Sequence, residues 1–287
     1  MEKRKAADNW SAEPTRAFRV RVLRQDGPAQ PSYWQRFSIA WEPDMNCISV
    51  LQKIAAKAET IDGQRVAPVA WDCNCLEEVC GACTMVINGR VRQACTALVD
   101  QLLQDRPEEI ELQPMKKFPV IRDLVVDRSR IFVSLQKVRA WIPVDSYLDM
   151  GAGPRQSQDV QQLAYLYSKC ISCGCCLDAC PQFIKIELYR EPGESTEAYE
   201  ARLREANYRA FMGAHAIAQV DLFNSNPIGS MTANERLDAL IAEGGIQVCG
   251  QAQNCVKVCP KGIPLTTAIG RGGRAATKHI VKKLFDR

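Results

Sequence analysis

Eleven of the fourteen cysteines fall into three sets whose spacing could hold metal. The first set is Cys75, Cys80, Cys83 and Cys95, arranged C-x4-C-x2-C-x11-C. That spacing suits a [2Fe–2S] cluster, because a short loop can turn successive thiolates and backbone N–H groups inward around it. Gly81 and Ala82 leave the backbone free to approach the inorganic sulfides, and Cys95, expected on the second strand of a following hairpin, closes the cage. A structural zinc site is the competing reading. Zinc usually pairs two C-x2-C knuckles, which the x4 gap does not provide.

The second set opens with Cys170-Ile-Ser-Cys173-Gly-Cys175-Cys176-Leu-Asp-Ala-Cys180-Pro181, which contains the bacterial ferredoxin run C-x2-C-x2-C-x3-C-P. In two-cluster proteins the fourth cysteine of such a run ligates the other cluster. The other half is Cys249-Gly-Gln-Ala252-Gln-Asn-Cys255-Val-Lys-Val-Cys259-Pro260. Exchange then assigns Cys170, Cys173, Cys176 and Cys259 to a [4Fe–4S] cluster. Cys180, Cys249 and Cys255 remain, and Ala252 stands where a fourth cysteine belongs. A methyl group cannot ligate iron, so the third cluster is predicted to be [3Fe–4S]. A single structural cluster holding two helices together would leave the second ligand set unexplained.

Three cysteines are left over. Cys73 reads as a bystander, with a swap for Cys75 still open. Cys175 fits no ligand slot and reads as packing, and Cys47 reads as a buried thiol. Neither His215 nor His279 has a partner motif, and Gly270-Arg-Gly-Gly273 follows no strand, so no catalytic residue is assigned. Three clusters without a substrate site describe a wire. It would pass single electrons between a two-electron donor and a distant acceptor, both supplied by partners.

The composition bounds this picture. The chain has 287 residues, a net charge of +4 and a pI near 8.4, too mild a balance to argue for nucleic acid. The charged start Met1-Glu-Lys-Arg-Lys predicts no secretory signal. No run of 18 apolar residues occurs, so membrane attachment is expected through a partner. Clustered thiols in a reducing compartment read as soft-metal ligands rather than disulfides. Basic residues gather at the end, from Arg271 through Lys283 to Arg287. They suit a solvated final helix or a contact with anionic lipid head groups.

The elements that position the cysteines follow from periodicity. Phe18, Val20 and Val22 alternate as a strand, as do Phe37, Ile39 and Trp41 within Tyr33–Trp41. Val50, Leu51, Ile54, Ala55 and Ala58 follow helical spacing. Asn88-Gly89 marks a hairpin, and Glu109 to Leu112 is a last short strand. Lys116 to Asp127 reads as a connector, and helical spacing dominates beyond Phe132. The stretch 153–158 reads as a loop, residues 193–209 as an exposed helix capped by Ser195, and Glu235 to Ala242 as a helix ended by Gly244-Gly245.

The order of the three sets resembles the iron–sulfur subunit of succinate dehydrogenase and fumarate reductase. So do Asp123-Leu-Val-Val-Asp127-Arg-Ser-Arg and the closing Cys259-Pro-Lys-Gly-Ile-Pro264. Leu222-Phe-Asn and the stretch to Cys255 resemble the menaquinone-linked bacterial branch. The fold expected is α+β. Residues 1–118 would be a β-grasp plant-type ferredoxin domain and 119–287 an all-α bacterial-ferredoxin-like domain. The resemblance implies a flavoprotein partner with covalent FAD, a membrane anchor commonly with haem b, and quinone as acceptor. Electrons would run from FAD through [2Fe–2S], [4Fe–4S] and [3Fe–4S] to quinone on the cytoplasmic face of the membrane. Fumarate reduction in reverse, another multi-cluster oxidoreductase, or a redox-inactive metal-stabilised module are the alternatives. Two departures from the mitochondrial type are visible. Pro181-Gln-Phe-Ile-Lys185 lacks tryptophan, and Gly250 stands where that type has histidine, so no quinone site is carried over. Residues 186–208 look like an insertion.

Overall fold

A computed structural model describes residues 16–142 and 155–285. Alternation at the start of the chain produces β1 (Ala17–Arg24), which pairs antiparallel with β2 (Tyr33–Ala40), Val20 facing Phe37 and Phe18 facing Ile39. The buried positions repeat every second residue, so one face of this pair meets a core and the other meets water. Helix α1 (Cys47–Lys57) lays Val50, Leu51 and Ile54 on that core. Its N-cap, Asn46, accepts from the amides of Ile48 and Ser49, both at 3.0 Å. The hairpin follows as β3 (Thr84–Ile87) and β4 (Arg90–Gln93), with Asn88 and Gly89 both at positive φ, as its tight turn demands. After α2 (Val99–Asp105), β5 (Glu109–Gln113) enters the sheet parallel to β1 and antiparallel to β3. The strand order is β2-β1-β5-β3-β4.

Periodicity gives no sign of helix α2, although Val99, Leu102 and Leu103 are buried at helical spacing. Its single apolar turn is too short for periodicity to declare. The expected connector is also more ordered than its composition suggests. It forms a small hairpin, β6 (Val120–Arg122) and β7 (Val125–Val126), turning at Asp123. Asp123 holds left-handed backbone, φ 48°, and its carboxylate is buried. It accepts from Arg24 Nε at 2.7 Å, Arg24 Nη2 at 3.1 Å and the Ala70 amide at 2.8 Å. A fully buried ion pair therefore pins the hairpin to β1.

Helices make up the rest: α3 (Ser129–Lys137), α4 (Gln158–Ser168), α5 (Cys175–Asp178), α6 (Thr196–Arg209), α7 (Gly213–Ser225), α8 (Ala233–Ile241), α9 (Asn254–Lys257) and α10 (Leu265–Phe285). Helix α7 is central, buried through Ala214, Ala216, Ile217, Ala218 and Val220, with α4, α8 and α10 packed around it. The predicted 153–158 loop lies outside the described residues at 153 and 154, is irregular at 155–157, and gives way to α4 at Gln158. Ser195 caps α6 by accepting from the Ala198 amide at 3.1 Å. That exposed helix packs on α3, where Lys137 Nζ donates to the Tyr208 carbonyl at 2.7 Å. Gly270, Gly272 and Gly273 lie inside α10. On the same helix, Arg271 bonds Asp221 at 2.7 Å and Lys283 pairs with Asp238.

The sheet and the helices share apolar contacts. Val86 and Val91 of the hairpin belong to the same buried cluster as Phe118, Ile131, Leu177 and Phe183. That shared core holds the cysteine-bearing loops of the two halves against one another.

Candidate metal centres

The loop carrying Cys75, Cys80 and Cys83 bends through positive φ at Leu76 (62°), Glu78 (56°) and Gly81 (72°). Those reversals point amides inward. The N–H groups of Glu77, Val79 and Cys80 reach Cys75 Sγ at 3.4, 3.3 and 3.3 Å, and that of Ala82 reaches Cys80 Sγ at 3.4 Å. The three amides on Cys75 lower its pKa to about 7 and so favour the thiolate that iron needs. Cys95 lies two residues past β4, in the turn beyond the hairpin rather than on its second strand. Asn46 Nδ2 donates to its carbonyl at 3.0 Å, so the cap of α1 also positions this cysteine. Burial raises the Cys95 thiol to about 12, and the neighbouring Cys83 adds to that shift. Cys73 is exposed, and none of the amides that fan onto Cys75 is bonded to it.

In the helical half, Cys170, Cys173, Cys176 and Cys259 line one small hollow, together with His215, Ile131 and Leu265. Burial raises the Cys176 pKa, and Cys173, Cys170, Cys259 and Cys255 raise it further. Cys180, Cys249 and Cys255 line a second, far larger cavity of about 780 Å³, and Ala252 lines it with them. Chain segments nearly 80 residues apart are thus brought together with their last cysteines exchanged. The two runs also share a backbone. Ser172 and Gly174 have positive φ (50° and 86°), as do Gln251 and Gln253 (53° and 58°), at matching steps from Cys170 and Cys249. Each run then opens a four-residue helix, α5 or α9. Ala252 therefore occupies the backbone position that Cys173 occupies in the first run.

Cys175 does more than pack. It is fully buried and receives a long contact from Gln93 Nε2 at 3.6 Å. The neighbouring Cys175 thiol is the main reason the Cys173 pKa falls to about 7. Gln93 Oε1 in turn accepts from Cys83 Sγ at 3.5 Å. Spacing gave no sign of this chain of contacts, because it runs through a residue outside every motif. Cys47 is buried and its thiol is pushed up to about 12 by that burial. His279 bonds Asp238 at 2.7 Å. Among the described residues, no three His, Cys, Asp or Glu side chains gather as a single ion would need. The seven ligand candidates of the helical half line cavities instead, and in the first loop amides converge on the sulfurs of Cys75 and Cys80. Such a donor set suits thiolate-held clusters.

Comparison with known proteins agrees. Residues 19–133 match the family model described as a 2Fe-2S iron-sulfur cluster binding domain, and residues 167–263 match a 4Fe-4S dicluster domain. The chain is an iron–sulfur protein with both cluster types. It is 46% identical, over 94% of its length and 96% of the relative's, to the succinate dehydrogenase iron-sulfur subunit of Bacillus subtilis. It is 32% identical to the fumarate reductase iron-sulfur subunit of Mycobacterium tuberculosis, over 75% of this chain and 76% of that one. Among solved structures, a chain of the Mycobacterium smegmatis Sdh1 complex in the apo form shares the fold. Its TM-score is 0.63 at 23% identity, covering 92% of this chain and 97% of that one. This chain belongs to the family of succinate dehydrogenase and fumarate reductase iron–sulfur subunits.

Proposed function

We propose that this chain is the electron-transfer subunit of a succinate:quinone oxidoreductase, carrying electrons from a flavoprotein's FAD to quinone at a membrane anchor. The observation that carries this reading is contiguity. A Cβ on Gly81 of the first loop would lie 2.8 Å from the Cys173 Cβ, and Cys176 belongs to the same apolar clusters as Cys180, Cys249 and Cys255. Three cysteine sets in unbroken succession suit one-electron relays. Bound clusters supply reversible one-electron chemistry, and the chain's own residues hold and shield them.

The ligands proposed are Cys75, Cys80, Cys83 and Cys95 for [2Fe–2S]. For [4Fe–4S] they are Cys170, Cys173, Cys176 and Cys259, and for [3Fe–4S] they are Cys180, Cys249 and Cys255. The strand order 2-1-5-3-4 with α1 across it supports a β-grasp assignment for residues 1–118. The repeated cysteine runs support a bacterial-ferredoxin-like assignment for residues 119–287. Leu76 and Val79 stand about half exposed on the first loop and suit a flavoprotein docking face. At the other end, Ile184 is exposed three residues past Pro181, which itself lines the larger cavity. Among the described residues, no helix is long and apolar enough to cross a membrane, so an anchor subunit, probed for haem b, would hold the complex at the cytoplasmic face. Menaquinone as acceptor follows from the resemblance of the 222–255 stretch. The higher identity to the succinate dehydrogenase subunit favours succinate oxidation over the reverse reaction.

The test is purification of the complex followed by a succinate–quinone assay. A flavoprotein and a membrane subunit are expected to co-purify with activity toward menaquinone analogues. A lone, cluster-loaded protein that neither binds a flavoprotein nor supports succinate oxidation would rule the reading out.

A further inference from the structure

The seam between the first two cysteine sets is closed by backbone contact. Gly81 faces Cys173 so closely that an added Cβ would come within 2.8 Å of its Cβ, 2.9 Å of its Cα and 3.2 Å of the Ile171 carbonyl. Glycine is needed there for this approach as well as for its φ of +72°.

One side chain fastens this seam. Arg128, the residue that precedes α3, donates from Nη1 to the Gly81 carbonyl at 2.6 Å and from Nη2 to the Ala82 carbonyl at 2.5 Å. The guanidinium is a planar fork, and two parallel bonds fix both its place and the turn it grips. Both bonds end on carbonyls. Among the described residues, no carboxylate lies within salt-bridge distance of it. Burial pushes its pKa down, while Asp72, Cys173, Cys175 and Cys83 push it back up, so its charge is felt on both sides of the seam. A guanidinium stays protonated in proteins.

We propose that Arg128 is a positioning residue for electron transfer between the first two clusters: its fork holds the 80–83 turn against Cys173, and its fixed charge raises the midpoint potentials of both centres together. The inference rests on the cluster assignment given under Proposed function. Reduction adds one negative charge to a cluster without making or breaking a bond. A nearby fixed cation favours that reduced state, and charge and hydrogen bonding are among the terms that set such potentials. The third set lines the other cavity, not the one that Cys173 lines at this seam, so it should gain less from that charge.

The experiment uses the complete complex with Arg128→Gln and Arg128→Lys, titrated potentiometrically and followed by electron paramagnetic resonance. Wild-type protein must first show the two-iron and four-iron signals, and their absence would sink the cluster assignment rather than the role of Arg128. In Arg128→Gln both midpoints are expected to shift downward together while the third centre stays put. In Arg128→Lys the charge remains and the midpoints stay near wild type. The fork is lost, however, so the two-iron signal should relax more slowly beside the reduced four-iron centre. Wild-type midpoints in a loaded Arg128→Gln, or a shift in only one of the two, overturn the proposal. Should Arg128→Gln fail to hold its two-iron cluster, Arg128→Lys decides: relaxation unchanged from wild type overturns it.

Discussion

The sheet half and the helical half gather cysteines over very different lengths of chain. In the sheet half, residues 75–95 form one local stretch, a loop followed by the β3–β4 hairpin, and the amides that lower the Cys75 pKa come from its own next five residues. In the helical half, each hollow draws cysteines from both 170–180 and 249–259, so neither is complete until α7 and its neighbours have packed. A local site can be lost alone. A site built by exchange should take its neighbour with it, because the residues that close one hollow also brace the other.

Cys259→Ala tests that contrast most severely. It removes the contribution of the C-terminal run to the four-iron hollow and loosens the run that carries Cys249 and Cys255. Iron is expected to fall from about nine to about two per chain, with only the two-iron signal surviving. Iron analysis and paramagnetic resonance on the isolated complex check this, and survival of the three-iron signal would show the hollows to be independent. Cys75→Ser should act in the opposite sense, damaging the two-iron centre and leaving both helical signals intact. Collapse of all three would mean that the sheet loop is as cooperative as the helical sets.

Arg24→Leu touches no cysteine but strips buried Asp123 of its bidentate partner, leaving it two backbone amides and a long contact with Arg122 Nε at 3.9 Å. Breaking a buried pair in this way costs roughly 3–5 kcal/mol. A lower unfolding temperature with unchanged cluster signals at low temperature is the expected result. Unchanged thermal stability would show that Asp123 recruits another donor.

Ala252→Cys sharpens the comparison between the two runs. Their backbones match at Ser172/Gly174 and Gln251/Gln253, so a thiol at 252 should stand where Cys173 stands in the first run. The three-iron resonance of the oxidised protein should disappear, with a gain of about one iron and a second four-iron signal on reduction. Retention of the three-iron signal would mean that the new sulfur points away. The smallest effect is expected from Cys73→Ser, since Cys73 is exposed and the amide fan converges on Cys75. Loss of the two-iron signal in that variant would exchange their roles.

Local patterns were legible in the sequence because their causes are local. Alternation at Phe18, Val20 and Val22 gave a strand, Asn88-Gly89 gave a turn and Ser195 gave a helix start. Helix α2 and the β6–β7 hairpin were not legible. One is a single apolar turn, and the other is held by a carboxylate whose partner, Arg24, lies 99 residues away. The placement of Cys95 slipped by two residues because a strand's end depends on its partner's register.

By itself the sequence determined the three cysteine sets and the missing sulfur at Ala252, because spacing along a chain limits which thiols can reach a common centre. It also pointed to the exchange of the last cysteines, through the template that two separate runs share, and the two cavities are lined in that grouping. Only the tertiary structure decided how the sets meet. The contact of Gly81 with Cys173, the grip of Arg128 on the Gly81 and Ala82 carbonyls, and the Gln93 amide against the Cys175 sulfur join residues with no common period or motif. They are set by how a sheet and a helical bundle pack across a shared core, and packing of that kind leaves no periodic trace in the order of residues.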